Sequence, residues 1–455
     1  MKKTWKQLMV LLVAIAVIVS GCSGSKNDNG GASNSGSSGN TANSGASASD
    51  KPYAGVKIRA LMEGHPTSEA LLEMLPEFEA ETGIKVELEI VPYSDLTSKA
   101  LLNFASKTGA YDIVMDDVVK AYGYENMGYI EPLDSYISNP ELNRYYDGSD
   151  FVPQYLNAMM INGKQYGLPV YGESTFLMYR KDLFEEYGIE VPTTFEELEE
   201  AAKTVYEKSG GKIAGITLRG EQGIQNVYVW AGFLWGFGGQ WFDENGRSVI
   251  NSPEAVEALE TYARLLRNYG PQGVANFGWQ ENRLLFQQGQ AAMTIDATVN
   301  GAYNEDPSES NIVGKVGYAP VPVKAGADLK GGSSSLAVHG LFLASDSKNK
   351  EAAWLFMSWA TAKEQQIKSF QIAPNAGVSS LAAMETPEFA EKYGAFKDGM
   401  LEAIANGNIE YLPQVPESNE IINNTGIAIS KALFGQDAKA ALDEANDLNN
   451  KAMGK

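Results

Sequence analysis

The 455-residue sequence predicts an α/β protein built as two lobes, and three observations carry that expectation. Segments 56–63 (VKIRALME) and 84–91 (IKVELEIV) read as strands, and 69–81 between them carries Leu71, Leu72, Leu75 and Phe78 at helical spacing. That is a βαβ unit. Strand-like runs and helix-like stretches then continue to the C-terminus, while apolar residues at 44% and aromatics at 10% indicate a packed body.

The remaining elements follow in order. Segment 95–106 supplies the next helix, and 111–115 (YDIVM) is a short apolar strand of the kind expected in a parallel sheet covered on both faces. Strand ends of such sheets aim side chains at a cleft, so Glu63, Gly64, His65, Asp116 and Asp117 become cleft candidates, with helix capping the competing role for the Asp pair. Segment 163–170 (GKQYGLPV) leads into Tyr171-Gly172-Glu173-Ser174, and 176–179 resumes a strand before a helix over 181–187. Thr194 and Glu197 have capping-box spacing at the head of a helix that Gly210 and Gly211 stop. Its glutamates suit a solvated first turn. Helices are expected over 253–268 and 281–288, strands over 291–295, 316–321 and 341–344, and helices through the last 90 residues.

Ahead of this body lies an address. Lys2, Lys3 and Lys6 precede twelve apolar residues, 8–19, too short for a comfortable membrane span and apt for a secretory signal. Residues 23–50 hold 20 Gly, Ser or Asn among 28 and no large apolar side chain, so they form a flexible tether with a reach on the order of 30 Å.

Composition excludes several functions. One cysteine leaves no disulfide, and two histidines with that thiol cannot build a Cys/His zinc site, so neither a metal nor another cofactor is expected. A formal charge of −21 repels phosphate backbones, which argues against nucleic acid as a partner. No G-x-S-x-G, Walker loop or complete G-x-G-x-x-G stands in the chain; GFGG at 236–239 reads as a loop and Asp243-Glu244-Asn245-Gly246 as a turn.

Two resemblances add to this reading. Val19-Ser20-Gly21-Cys22 resembles a bacterial lipobox, which implies cleavage after residue 21, diacylation of Cys22 and a mature charge lowered to −24 by loss of three lysines. KIRALMEGHPTSEALLEMLPEFEAETGIKVELEIVPYSDL, YDIVMDDVVKAYGYENMGYIEPLD, YGLPVYGESTFLMYRKDLFEEYGIEVPTTFEEL, NRLLFQQGQAAMTIDATVNGAY and LFLASDSKNKEAAWLFMSWATAKEQ, in that order, resemble the maltose-binding type of extracellular solute-binding proteins of carbohydrate ABC importers. The stretch 279–322, with WQEN, IDATVNGAY and KVGYAPVPV, is most similar to the branch that binds sorbitol, mannitol and related polyols.

The resemblance implies a two-lobed periplasmic-binding-protein fold of type II. It also implies chain crossings near Val170 to Gly172, near Gly317 and near Gln365, with Gly172 and Gly317 as hinge candidates. The division becomes a signal peptide at 1–21, lipidated Cys22 and tether at 22–50, one lobe of 51–169 plus 318–364, and a second of 170–317 plus 365–455. The implied protein is a monomer, lipid-anchored at the outer face of the cell membrane, which delivers a sugar or polyol to a membrane permease and turns nothing over. A polyhydroxyl ligand needs carboxylates and amides for its hydroxyls and aromatic faces for its C–H skeleton. Glu173 and Asp296 are the leading ligand-binding candidates by similarity. Tyr171, Trp230, Trp235 and Trp279 are candidates for stacking, and His65 and His339 for donating to hydroxyls. Glu63 and Asp117 join them at the cleft, and Arg219 is a candidate partner of a site carboxylate. Maltodextrin members carry aromatics where Val299 and Ile422 or Asn423 stand here, which favours a small ligand. The alternatives are an oligosaccharide or glucoside binder, a surface adhesin or sensor lipoprotein, and, because glycosidases also use paired carboxylates, a secreted glycoside hydrolase.

Overall fold

A computed structural model describes residues 51–455; the signal segment, Cys22 and the tether lie outside the described residues. Two sheets organise the chain. The larger has five strands in the order β2-β1-β3-β10-β6: β1 (Lys57–Glu63), β2 (Lys85–Val91), β3 (Ile113–Asp117), β6 (Gly167–Glu173) and β10 (Ala337–Leu343). Between β3 and β6 the chain forms three helices and a small hairpin, β4 (Met160–Ile161) with β5 (Lys164–Gln165). The smaller sheet has the order β8-β7-β9, from β7 (Thr175–Arg180), β8 (Met293–Ala297) and β9 (Val316–Ala319).

The expected βαβ unit is present. β1 pairs in parallel with β2 and β3, joined by α1 (Pro66–Thr82) and α2 (Tyr93–Ser106), whereas β10 runs antiparallel to both β3 and β6. Alternation along β1 explains how the sheet is covered twice: Ile58, Ala60 and Met62 join one apolar cluster with Phe78, Trp354 and Trp359, while Leu61 joins the other. The helix Phe195–Lys208 begins with the expected capping box of Thr194 and Glu197. A helix that the sequence reading did not assign, Ile224–Gly236, is buried at every position from Gln225 onward; being apolar on all sides it shows no amphipathic period.

Gly172 and Gly317, expected at chain crossings, lie inside β6 and β9. Neither has a positive φ. A Cβ at Gly172 would sit 2.3 Å from the ring of Tyr155, and one at Gly317 would sit 2.2 Å from the ring of Tyr179, so both glycines admit an aromatic ring against the strand. The chain passes from the larger to the smaller sheet through the single residue Ser174, whose hydroxyl donates to the carbonyls of Ser335 and Ala403. It returns between β9 and β10, and the helix Lys363–Ile372, which contains Gln365, still packs against α1.

Candidate functional site

A cavity of about 480 Å³ opens between the ends of the two sheets. The larger sheet contributes strand ends. Glu63 closes β1, Asp117 closes β3, and His339 pairs with both Asp117 and Tyr171, so parallel and antiparallel register bring four of the expected residues to one place. The ring of His65, just after β1, stacks on Tyr171 at 3.8 Å with planes 4° apart. His339 covers the other side of Tyr171 at 4.4 Å and 16°, and Tyr93 leans on His339 at 5.7 Å.

This ladder corrects one expectation: both faces of Tyr171 are occupied, so it offers a ligand no stacking surface. Its hydroxyl donates instead to Oε2 of Glu63 at 3.3 Å. The same carboxylate oxygen lies 3.0 Å from Nδ1 of His339. Burial pushes Glu63 up and His339 down, but each partner's opposite charge overrides that, leaving Glu63 below the usual carboxylate range and His339 raised to about 9. His65 differs. Its Nδ1 accepts the Thr67 backbone N–H at 3.2 Å, which caps α1, and burial lowers its pKa to about 3. Its Nε2 is buried on the cavity wall without a protein partner. Asp117 both caps α3 (Val118–Asn126) through the Val119 N–H and accepts from the Tyr93 hydroxyl at 3.3 Å, so the capping and cleft roles coexist.

The opposite wall is held by charge. Arg219 presents Nε and Nη2 to Asp296, with Nε–Oδ1 at 3.0 Å and Nη2–Oδ1 at 2.5 Å. Asp296 is fully buried within β8 and also accepts from Nδ2 of Asn282 at 2.6 Å and from the Ala297 N–H at 2.7 Å. With its lone pairs thus used, it stands behind the wall and supports Arg219, a correction to its expected role against the ligand. Oε1 of Gln225 accepts from Nη1 of Arg219 at 3.2 Å and from the Trp279 backbone N–H at 3.1 Å, tying the guanidinium to the head of the helix Trp279–Gln287. The indole of Trp279 donates to Asn300 at 2.7 Å and faces His65 across 6.4 Å. Tyr228 carries the Arg219 guanidinium over its ring at 4.8 Å and reaches Glu173 at 3.4 Å. Burial raises Glu173 to about 8 even though Arg219 and His339 favour its charge.

Of the ten ligand-site residues expected from the sequence, Glu63, His65, Asp117, Tyr171, Glu173, Arg219, Trp279 and His339 line this cavity. Asp296 lies behind it. Trp235 lies elsewhere: its Nε1 donates to the Tyr411 carbonyl at 3.2 Å, beside Trp241. Trp230 is core, edge-on to Trp241 at 6.0 Å, and Asp116 is buried under Tyr124 with its pKa pushed up to about 6 by burial. The sequence reading missed Tyr93, Gln225 and Tyr228. Tyr93 obeys the strand-end rule, following β2 after Val91 and Pro92; the other two belong to the unassigned buried helix. Among the described residues no group of three or more His, Cys, Asp or Glu side chains is placed to hold a metal ion, and no helix is long and apolar enough to cross a membrane.

A family model of bacterial extracellular solute-binding proteins matches residues 64–367. The mannitol-binding protein of Pseudomonas aeruginosa is 27% identical over 377 residues, 79% of this chain and 84% of that protein. An ABC transporter solute-binding protein from Agrobacterium radiobacter K84, solved in complex with ribitol, matches with a TM-score of 0.81 and 32% identity, covering 88% of this chain and 100% of that one. Another from Agrobacterium vitis S4, with bound D-mannitol, matches with a TM-score of 0.79 and 28% identity over 88% and 98% of the two chains. The mixed α/β architecture with its two sheets matches that of two-lobed solute-binding proteins.

Proposed function

This chain belongs to the bacterial extracellular solute-binding protein family, and we propose that it captures a small polyol, of the mannitol and sorbitol class, in the cavity between its lobes and hands it to an ABC permease. The observation that carries the reading is the chemistry of the wall. A buried imidazole N–H without a partner, carboxyl groups with unused oxygens and the Trp279 indole converge on one cavity of about 480 Å³. Several hydrogen bonds to charged groups, each about 1.5–3 kcal/mol, suffice for micromolar or tighter affinity after association costs. The similarity to proteins solved with ribitol and D-mannitol supports the same ligand class.

The ligand-contacting set is Glu63, His65, Tyr93, Asp117, Glu173, Arg219, Gln225, Trp279 and His339. In this reading the crossings fall at Ser174, between β9 and β10, and beyond the helix Lys363–Ile372, so each expected lobe bound, 51–169 with 318–364 and 170–317 with 365–455, moves a few residues along the chain. Binding proceeds without turnover. The protein works as a monomer held outside the membrane by acylated Cys22, two or more acyl chains giving the stable anchoring that one does not.

Calorimetry with mannitol, sorbitol, ribitol and maltotriose tests this reading, with scattering to follow closure, since a ligand that touches both lobes stabilises the closed arrangement. Polyol binding with compaction is expected. Tight maltotriose binding with no response to any polyol overturns the ligand class, and cleaved oligosaccharide in the cell overturns the binding role. A Cys22→Ala protein that still fractionates with membranes overturns the anchor.

A further inference from the structure

We infer that the cavity selects by charge, admitting neutral polyols and amino polyols while rejecting the carboxylates of sugar acids. The inference rests on the polyol reading and on which charges are already matched. Among the described residues the wall carries no lysine, and its cations are Arg219 and His339. Each has a carboxylate partner within the protein: Arg219 forks onto Asp296, and His339 lies against Glu63. The remaining histidine is held neutral by geometry. The Thr67 N–H points at Nδ1 of His65, so that nitrogen is unprotonated and the ring proton sits on Nε2, a buried donor without a protein partner, and the ring offers no charge to an anion.

The acids are not matched in this way. Asp117, Glu173, Glu221 and Glu281 all line the cavity, and among the described residues none has a Lys, Arg or His nitrogen within 4.0 Å. Asp117 holds only the Val119 N–H and the Tyr93 hydroxyl, and Glu173 only the Tyr228 hydroxyl at 3.4 Å. That Glu173 is raised to about 8 agrees with a carboxyl that lacks a close cation. A ligand carboxylate entering here meets acidic side chains, of which Glu173 is neutral below about pH 8, and no free cation, whereas a ligand ammonium meets carboxyl oxygens able to accept from it.

Three six-carbon chains of equal length separate charge from shape: sorbitol, 1-amino-1-deoxysorbitol and gluconate. Calorimetry on the whole protein at neutral pH should place the first two within about tenfold of each other and gluconate at least about 100-fold weaker, the size expected of like charges brought together in a dry site. Raised salt should weaken the amine and leave sorbitol unchanged. Gluconate binding within about threefold of sorbitol overturns the charge selection and leaves the polyol reading standing. Gluconate binding with no response to sorbitol overturns both.

Discussion

The two walls of the cavity solve the same problem by different physics. On the larger-sheet side rings support rings, with His65 and His339 sandwiching Tyr171 at 3.8 and 4.4 Å. On the other side charge supports charge, with Asp296 behind Arg219 and Asn282 behind Asp296. In each wall a side chain nominated from sequence, Tyr171 in one and Asp296 in the other, is the support, and a neighbour presents the binding surface. The difference teaches where each wall is fragile: a ring stack loses area gradually when trimmed, whereas a buried ion pair that loses one member leaves an uncompensated charge.

The largest effect should therefore come from Asp296→Ala. Arg219 and Asp296 are both buried, and removing one partner of such a pair costs about 3–5 kcal/mol. Urea unfolding of the ligand-free protein should show that loss. Tyr171→Phe, which removes only the hydroxyl bonded to Glu63, should cost about 0.5–3 kcal/mol, near the low end if water replaces it. Equal stabilities for Asp296→Ala and wild type would mean the charged wall is not what holds Arg219.

The inter-sheet strands sharpen the contrast. Gly172→Ala and Gly317→Ala each drive a methyl into a tyrosine ring, a type of overpacking that costs about 1–3 kcal/mol. Tyr155 is wholly buried and cannot move aside, while Tyr179 is only partly buried, so the Gly172 variant should melt at the lower temperature. The reverse order would show that strand β9 is the less yielding of the two.

Titration separates the walls next. His339 is raised in the folded state from 6.5 to about 9 by Glu63, so its contribution is fully present below 6.5 and is lost as the pH rises through about 9. Glu173, raised from 4.5 to about 8, also keeps a proton that the unfolded chain has released, which again makes stability fall with rising pH. Both act in the same direction between 6.5 and 8. Denaturation at several pH values should show a decline of up to about 1.4 kcal/mol per pH unit per proton, and His339→Gln should flatten it. A decline unaltered in His339→Gln would remove the Glu63 pair as its source.

Much of this was legible in the sequence, for reasons that individual residues make plain. The β1-α1-β2 unit has strong periodicity, and Glu63, His65 and Asp117 follow from strand ends alone. What escaped depends on packing across long sequence separations. Nothing local reveals that Tyr171 is covered on both faces, since its partners come from 65 and 339. Asp296 was nominated as a ligand residue because the strand was expected to end before it; β8 runs on to Ala297, and the carboxylate turns inward to Arg219. The helix Ile224–Gly236 hides Gln225 and Tyr228 because a segment buried on all sides has no polar face to betray its period. Trp230 and Trp235 sit in that same segment, and its uniform burial makes one core and turns the other toward Tyr411.

The smallest expected effect is also the one most altered by the structure. From sequence, Glu173→Gln should cost about 1.5–3 kcal/mol in ligand binding because a charge-assisted hydrogen bond becomes neutral. With the carboxyl raised to about 8 by burial, however, the wild-type side chain below that pH is already a neutral acid, able to donate and accept much as an amide does. Polyol affinity at pH 6 should then differ between Glu173→Gln and wild type by less than about threefold, or roughly 0.7 kcal/mol. Above pH 8 the wild-type carboxylate accepts ligand hydroxyls with its charge, and the gap should open toward the larger figure. Calorimetry at pH 6 and pH 9, repeated in buffers of different ionisation enthalpy, reads both the gap and any proton released on binding. A full loss already at pH 6, accompanied by proton release in the wild type alone, would show that the ligand itself ionises Glu173, and the two walls would then both bind through charge.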